Sequence, residues 1–243
     1  MIIRILALCA GLVMAVAAGA PASAQNMTAA DMARYRAQPN VVRPGLGDDP
    51  GLPTGAPLQL PAGVSLAAPI RGVDDGVDCG SDSHGSGFNV TVCLSLCNTT
   101  SRPVIVTLPR GLVVVAKAAG PYQNGLLVET VVVEAPPTPC GPGGIPIDRD
   151  GADVEREDAP LSKAGFPVQL NLYCLNESGQ PSEAGIRYAL GPVSDDPAIR
   201  DLLARIGDRP VDLEGSDVVQ TALYSITEGR GLTWDDEQKL RSL

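Results

Sequence analysis

The chain is 243 residues long and carries 18 Lys and Arg against 28 Asp and Glu, a formal net charge of −10. A surface of that sign repels phosphate, so nucleic acid and anionic lipid are excluded as partners. Hydrophobic residues make up 44% of the chain, enough for the core of one large domain or two small ones, and the single histidine, His84, excludes mechanisms that need two imidazoles, most zinc sites among them.

The first predicted element is a secretory signal over residues 1–24. Arg4 supplies the positive start, residues 5–18 the apolar stretch, and Ala22-Ser23-Ala24 the small-x-small cleavage pattern. That stretch falls short of the roughly 20 apolar residues a membrane span needs, and no later segment reaches it. Cleavage before Gln25 and export follow as the expectation, leaving no transmembrane segment. Lysine occurs only at Lys117, Lys163 and Lys239, and with abundant Ala, Gly and Pro this suggests a GC-rich bacterial source, hence the periplasm or cell surface.

Residues 25–87 read as a flexible Pro/Gly-rich linker. A short helix is predicted from Thr28 to Arg36, stopped before Pro39, and Pro44, Pro50, Pro53, Pro57 and Pro61 then argue for an extended chain. Asp82, Ser83 and His84 sit together in a glycine-rich loop, but adjacency in a loop is not a catalytic triad, which needs a rigid scaffold.

From Phe88 the pattern turns to strands. Phe88, Val90, Val92, Leu94 and Leu96 fall on one face of an alternating run, and Asn89, Thr91, Cys93, Ser95 and Cys97 on the other. Further strands are predicted over residues 104–108, 112–116, 126–134 and 166–175, separated by Gly, Pro and Asn turns and without intervening helices. That order predicts an antiparallel β-sandwich over residues 88–175. Between the last two strands lies an insertion rich in Pro, Gly and then charge. Asp148, Asp150 and Asp153 suggest calcium, but Ala152 and Ala159 stand where oxygen ligands are required, so a solvated acidic loop is the better reading.

The C-terminal third switches to helices, a small subdomain over residues 195–243. Asp195-Asp196-Pro197 starts the first, Ile199, Leu202, Leu203 and Ile206 form its apolar stripe, and Gly207 ends it. Ser216 is the predicted cap of the second, with Val219, Ala222, Leu223 and Ile226 as its stripe. Thr233 and Asp236 form a capping box for the third.

Export leaves five cysteines, Cys79, Cys93, Cys97, Cys140 and Cys174, and an oxidising compartment makes two disulfides and one thiol the natural count. Cys93 and Cys97 lie four residues apart on one strand, about 13 Å, too far for a mutual bridge. Each needs another partner, for which Cys79 and Cys140 are the candidates, and Cys174 is left as the thiol.

Leu172-Tyr173-Cys174-Leu175-Asn176 ends the last predicted strand, and Val218-Val219-Gln220-Thr221-Ala222-Leu223-Tyr224 lies on the second predicted helix. The pair resembles secreted bacterial surface domains of the thioester-domain type, in which an aromatic-Cys-apolar motif ends a strand and a Gln-x-Ala-apolar-aromatic block follows on a helix. The resemblance covers residues 166–227. It implies Cys174 as a thioester cysteine with Gln220 as its candidate partner, and Tyr224 stands where the family tends to have tryptophan. A Cys–Gln thioester shielded from water survives until a nucleophile such as a host amine reaches it, so that binding becomes covalent.

Enzymatic signals are sparse. The carboxylates cluster in loops, and Gly141-Pro142-Gly143-Gly144 precedes no helix that could hold a phosphate. The expectation is a secreted or periplasmic, non-enzymatic envelope protein, structural, adhesive or partner-binding, alone or as a subunit of a larger assembly. Its partner would be an envelope or surface protein, and no cofactor is implied. The alternatives are an envelope enzyme or accessory factor, and a covalent adhesin built on Cys174.

Overall fold

The computed structural model describes residues 28–30, 33, 40–73, 79, 82–118, 120, 122–138 and 165–243. The expected signal sequence, most of the short helix after it, Cys140 and the acidic loop with Asp148, Asp150 and Asp153 lie outside the described residues. In chain order the strands are β1 (Gly55–Pro57), β2 (Val64–Leu66), β3 (Ile70–Gly72), β4 (Ser83–His84), β5 (Val90–Asn98), β6 (Val104–Leu108), β7 (Leu112–Ala116), β8 (Gly125–Leu126), β9 (Val131–Ala135), β10 (Phe166–Cys174) and β11 (Arg187–Ser194). Three helices follow, α1 (Pro197–Ile206), α2 (Leu213–Thr227) and α3 (Trp234–Ser242).

Six strands close on themselves. β3 pairs with β5, β5 with β10, β10 with β8, β8 with β7, β7 with β11, and β11 returns to β3, every pairing antiparallel. The body is a closed six-stranded antiparallel barrel, not the expected sandwich. Alternation could not separate the two, because a sandwich sheet and a barrel both bury one face of each strand and solvate the other. What decides is the pairing of β10 with β5 on one edge and β8 on the other, together with β3 and β11, two strands the periodicity did not reveal. β11 is interrupted by Gly191-Pro192 and by a register shift between Leu190 and Val193, which hides its period. β3 lies inside the stretch expected as linker. That stretch also supplies β1, which extends β11, β2, which extends β5, and β4, which runs parallel to β10.

Along β5, Val90, Val92, Leu94 and Leu96 point into the barrel, and Val168, Leu170, Leu172 and Cys174 do so along β10, all fully buried. Each such leucine contributes about 1.5–3 kcal/mol relative to an exposed one. β6 and β9 form a separate two-stranded ribbon that adds Val106, Leu108, Val131, Val133 and Ala135 to the same core.

The helices cover one outer wall. Val113 of β7, Leu126 of β8 and Tyr173 of β10 face outward yet are completely buried, because Ile199, Leu202, Leu203, Val219, Leu223 and Ile226 pack on them as a second core. Helix starts follow local chemistry. Asp196 caps α1 by accepting from the Ala198 and Ile199 N–H groups, and Gly207, at φ 66°, ends it. Asp212, not Ser216, caps α2, which begins three residues before the predicted cap. The Thr233–Asp236 capping box forms as expected. Among the described residues no helix is long and apolar enough to cross a membrane.

Candidate functional site

Where β10 runs out of the barrel, Cys174 meets α2. The apolar stripe of α2 sits on the barrel wall, which turns Gln220 and, one turn on, Tyr224 toward the strand's end. The Gln220 side chain clamps the backbone of Cys174 at both ends of its amide: Cys174 N–H donates to Oε1 at 2.9 Å, and Nε2 donates to the Cys174 carbonyl at 3.0 Å. Gln220 is 5% exposed, so these bonds are made away from water. The two residues singled out by the resemblance are thus in contact, but through the cysteine's backbone.

The thiol itself points into the barrel interior. Burial pushes it up to about 11, and the neighbouring Tyr224 hydroxyl and Asn89 amide offset only part of that. It is therefore a protonated thiol at neutral pH. Tyr224 faces both the Cys174 thiol and the Gln123 carboxamide, and burial raises its own ionisation well above the usual phenol range. Gln123, 4% exposed, donates through Nε2 to the Gly179 carbonyl at 2.8 Å, while its Oε1 finds no hydrogen-bond partner among the described residues. The hydroxyl of Tyr188, 3% exposed on β11, likewise finds none. A buried thiol, an uncommitted amide oxygen and two tyrosine hydroxyls thus share one end of the barrel. Unsatisfied buried polar atoms are costly and uncommon, which marks this cluster apart from the rest of the core.

Two further contacts close the region. Residues 41–49 lie across it: Gly47 N–H donates to the Leu175 carbonyl at 2.9 Å, Asn176 Nδ2 donates to the Gly47 carbonyl, and Asn124 Nδ2 donates to the Gly45 carbonyl at 3.2 Å. Arg43 pins that stretch to the helices, pairing with Asp196 at 3.0 Å and donating to the Ile226 carbonyl at 2.8 Å. On the outer face of β10, the Tyr173 hydroxyl shares hydrogen bonds with Ser86 at 2.7 Å and Ser216 at 2.8 Å, and Ser86 also donates to Glu129. Burial raises the Tyr173 phenol, so it remains a neutral hydroxyl within this network. Gly87 lets the chain run against β10 there, since a Cβ at that position would lie 2.1 Å from the Leu172 carbonyl carbon.

Of the disulfide candidates among the described residues, Cys79 and Cys93 are half-buried on the outside of the barrel, and Cys97, fully buried near the end of β5, is disulfide-bonded. No group of His, Cys, Asp and Glu among the described residues could hold a metal. Gln123, Tyr188 and Glu129 went unnoticed in the sequence, and Asn89 was expected on the outer face of a strand that begins only at Val90, whereas it meets the Cys174 thiol. Gln123-Asn124-Gly125 carried only a turn signal, and nothing in its spacing links it to a cysteine about fifty positions on. Compared with known proteins, the chain matches no protein-family model, no curated protein and no solved structure.

Proposed function

We propose that this is an exported, non-enzymatic contact module of the bacterial envelope, whose partner is another envelope protein. The β6–β9 ribbon carries the reading. Among the described residues each of its strands has a single strand neighbour in the sheet, and its outer face displays Ile105 and Val132, 56% and 58% exposed, beside Thr107 and Glu134. An added partner strand would satisfy the outer backbone groups of an edge and cover both apolar side chains. The test is co-purification from the native envelope of the wild-type chain and of an Ile105→Lys, Val132→Lys double variant. Both substitutions fall on exposed positions, so far-UV circular dichroism should not change. Retention of a stoichiometric partner by the wild type and its loss from the variant is the expected result. Recovery of the wild type as an isolated monomer would overturn the reading.

A second reading, a covalent adhesin, is favoured by the Cys174 cluster. Gln220 has both amide atoms committed to the Cys174 backbone, whereas the Gln123 carbonyl oxygen has no hydrogen-bond partner among the described residues and its side chain faces the same tyrosine as the thiol. Attack of Cys174 Sγ on Gln123 Cδ would form the thioester, with the thiol proton leaving on ammonia, a mass loss of about 17 Da. Intact mass after full reduction decides it. That loss, abolished by Gln123→Glu and retained by an exposed-surface control, supports the thioester, and an unmodified mass removes it.

A further inference from the structure

The outer face of β10 gathers two cysteines around one residue. Gln169 stands directly opposite Cys93 in the antiparallel β5–β10 register, a pairing that places the two Cα atoms about 4.5–5.5 Å apart. Cys93 faces outward there, because its neighbours Val92 and Leu94 fill the barrel interior. On the other flank of β10, the Gln169 side chain accepts from the Cys79 N–H at 3.4 Å and donates to the Ser83 hydroxyl at 3.3 Å. The backbone of Cys79 is therefore laid over the same outer row of the barrel, against the side chain of the residue that Cys93 faces. Both cysteines are half-buried, within reach of an oxidant. Cys174 points into the barrel interior, away from that row. Cys97 follows Cys93 on the same face of β5, but it is fully buried and disulfide-bonded.

We propose that Cys79 and Cys93 form a disulfide that staples the segment leading into β4 onto the barrel wall. The bond would hold in place the stretch that delivers Ser86 to Glu129 and Tyr173. Its formation in the cell rests on the proposed export, since an oxidising compartment supplies the oxidant. The chemistry is thiol–disulfide exchange: the two thiols give up two protons and two electrons to a disulfide donor such as oxidised glutathione, which leaves as two thiols.

The experiment uses the full chain, purified reduced and then equilibrated with oxidised glutathione, so that its outcome does not depend on where the protein resides. Free thiols are blocked, and the chain is cut without reduction at Asp82, which separates the two cysteines, and at Glu129. The expected result is a Cys79 peptide linked to the peptide carrying Cys93 and Cys97, a link that persists in Cys97→Ser and disappears in Cys93→Ser. The same wild-type chain, oxidised against reduced, should melt roughly 5–10 °C higher, as expected for closing a loop of about 15 residues. Alkylation of Cys79 and Cys93 as separate thiols, or a link from Cys79 that survives Cys93→Ser, would overturn the proposal. A linked Cys79–Cys93 pair in vitro, with the same protein reduced when isolated from the envelope, would sustain the geometry and count against export instead.

Discussion

Replacing Gln220 by methionine isolates what its amide does, since the two side chains have similar volume and leave no cavity. The change removes an acceptor from the Cys174 N–H and a donor from the Cys174 carbonyl, both buried. Each orphaned group costs about 1–3 kcal/mol, and the apolar gain of burying methionine instead of an amide returns about 1 kcal/mol of the total. The net loss is then about 1–5 kcal/mol, a sizeable share of the roughly 5–15 kcal/mol by which domains are stable. For a chain of this size that corresponds to a fall in Tm of about 2–20 °C. Urea unfolding followed by circular dichroism measures it, with Thr221→Ala as the neighbour control: Thr221 is exposed and its hydroxyl only donates to the Asp217 carbonyl in its own helix. A loss under about 0.5 kcal/mol would mean that water or a shifted backbone satisfies Cys174, and the clamp would then carry no structural weight.

Three further outcomes follow from the same contacts. Leu170→Ala empties a fully buried position inside the barrel and should cost about 3–5 kcal/mol by denaturant titration, while a cost below about 1 kcal/mol would show that the interior can collapse around the gap. Thr233→Ala removes one half of the α3 capping box and should cost about 1 kcal/mol, restored by Thr233→Ser. Alkaline stability carries the signature of Cys174. Its folded thiol is raised from 9.0 to about 11, so above pH 9 the unfolded chain releases that proton first, and stability present below pH 9 is lost as pH rises toward 11. Tm against pH should therefore fall more steeply in the wild type than in Cys174→Ala, and parallel curves would refute the assigned burial.

The parts of the fold that were legible in the sequence are those whose signal is local. The α1 stripe with Asp196 and Gly207 around it, the capping box of α3 and the alternation of β5 and β10 each depend on residues within about ten positions, and each appears where expected. Barrel closure depends on which strand meets which, and the strands that complete the ring carry the weakest local signals: β3 spans only Ile70–Gly72, and β8 only Gly125–Leu126. The proline-rich stretch from residue 40 misled for the same reason. Proline and glycine mark a chain that cannot form long regular elements, yet Leu46 is buried in the second core and Arg43 bridges two helices, so irregular backbone here is packed backbone.

The candidate site was half legible, and the dividing line has a physical cause. Cys174 and Gln220 were paired in advance only through the resemblance of their two motifs, while periodicity marked the strand end and the helix face that carry them. Their partners Gln123, Asn89 and Tyr188 sit on turns or on an irregular strand, where side-chain direction is set by long-range pairing and not by spacing. That same pairing explains why the cluster exists. A strand fully inside a closed barrel has no use for polar groups, but β10 leaves the barrel at Cys174, and a backbone emerging there needs a partner that the neighbouring strands do not supply. Gln220 meets that need from α2, and in doing so it brings Tyr224 over the barrel mouth, enclosing the thiol and the Gln123 carbonyl with it. The clamp and the buried cluster are therefore one feature, so a substitution that loosens the first should also open the second to solvent, measurable as faster alkylation of Cys174 in Gln220→Met than in the wild type.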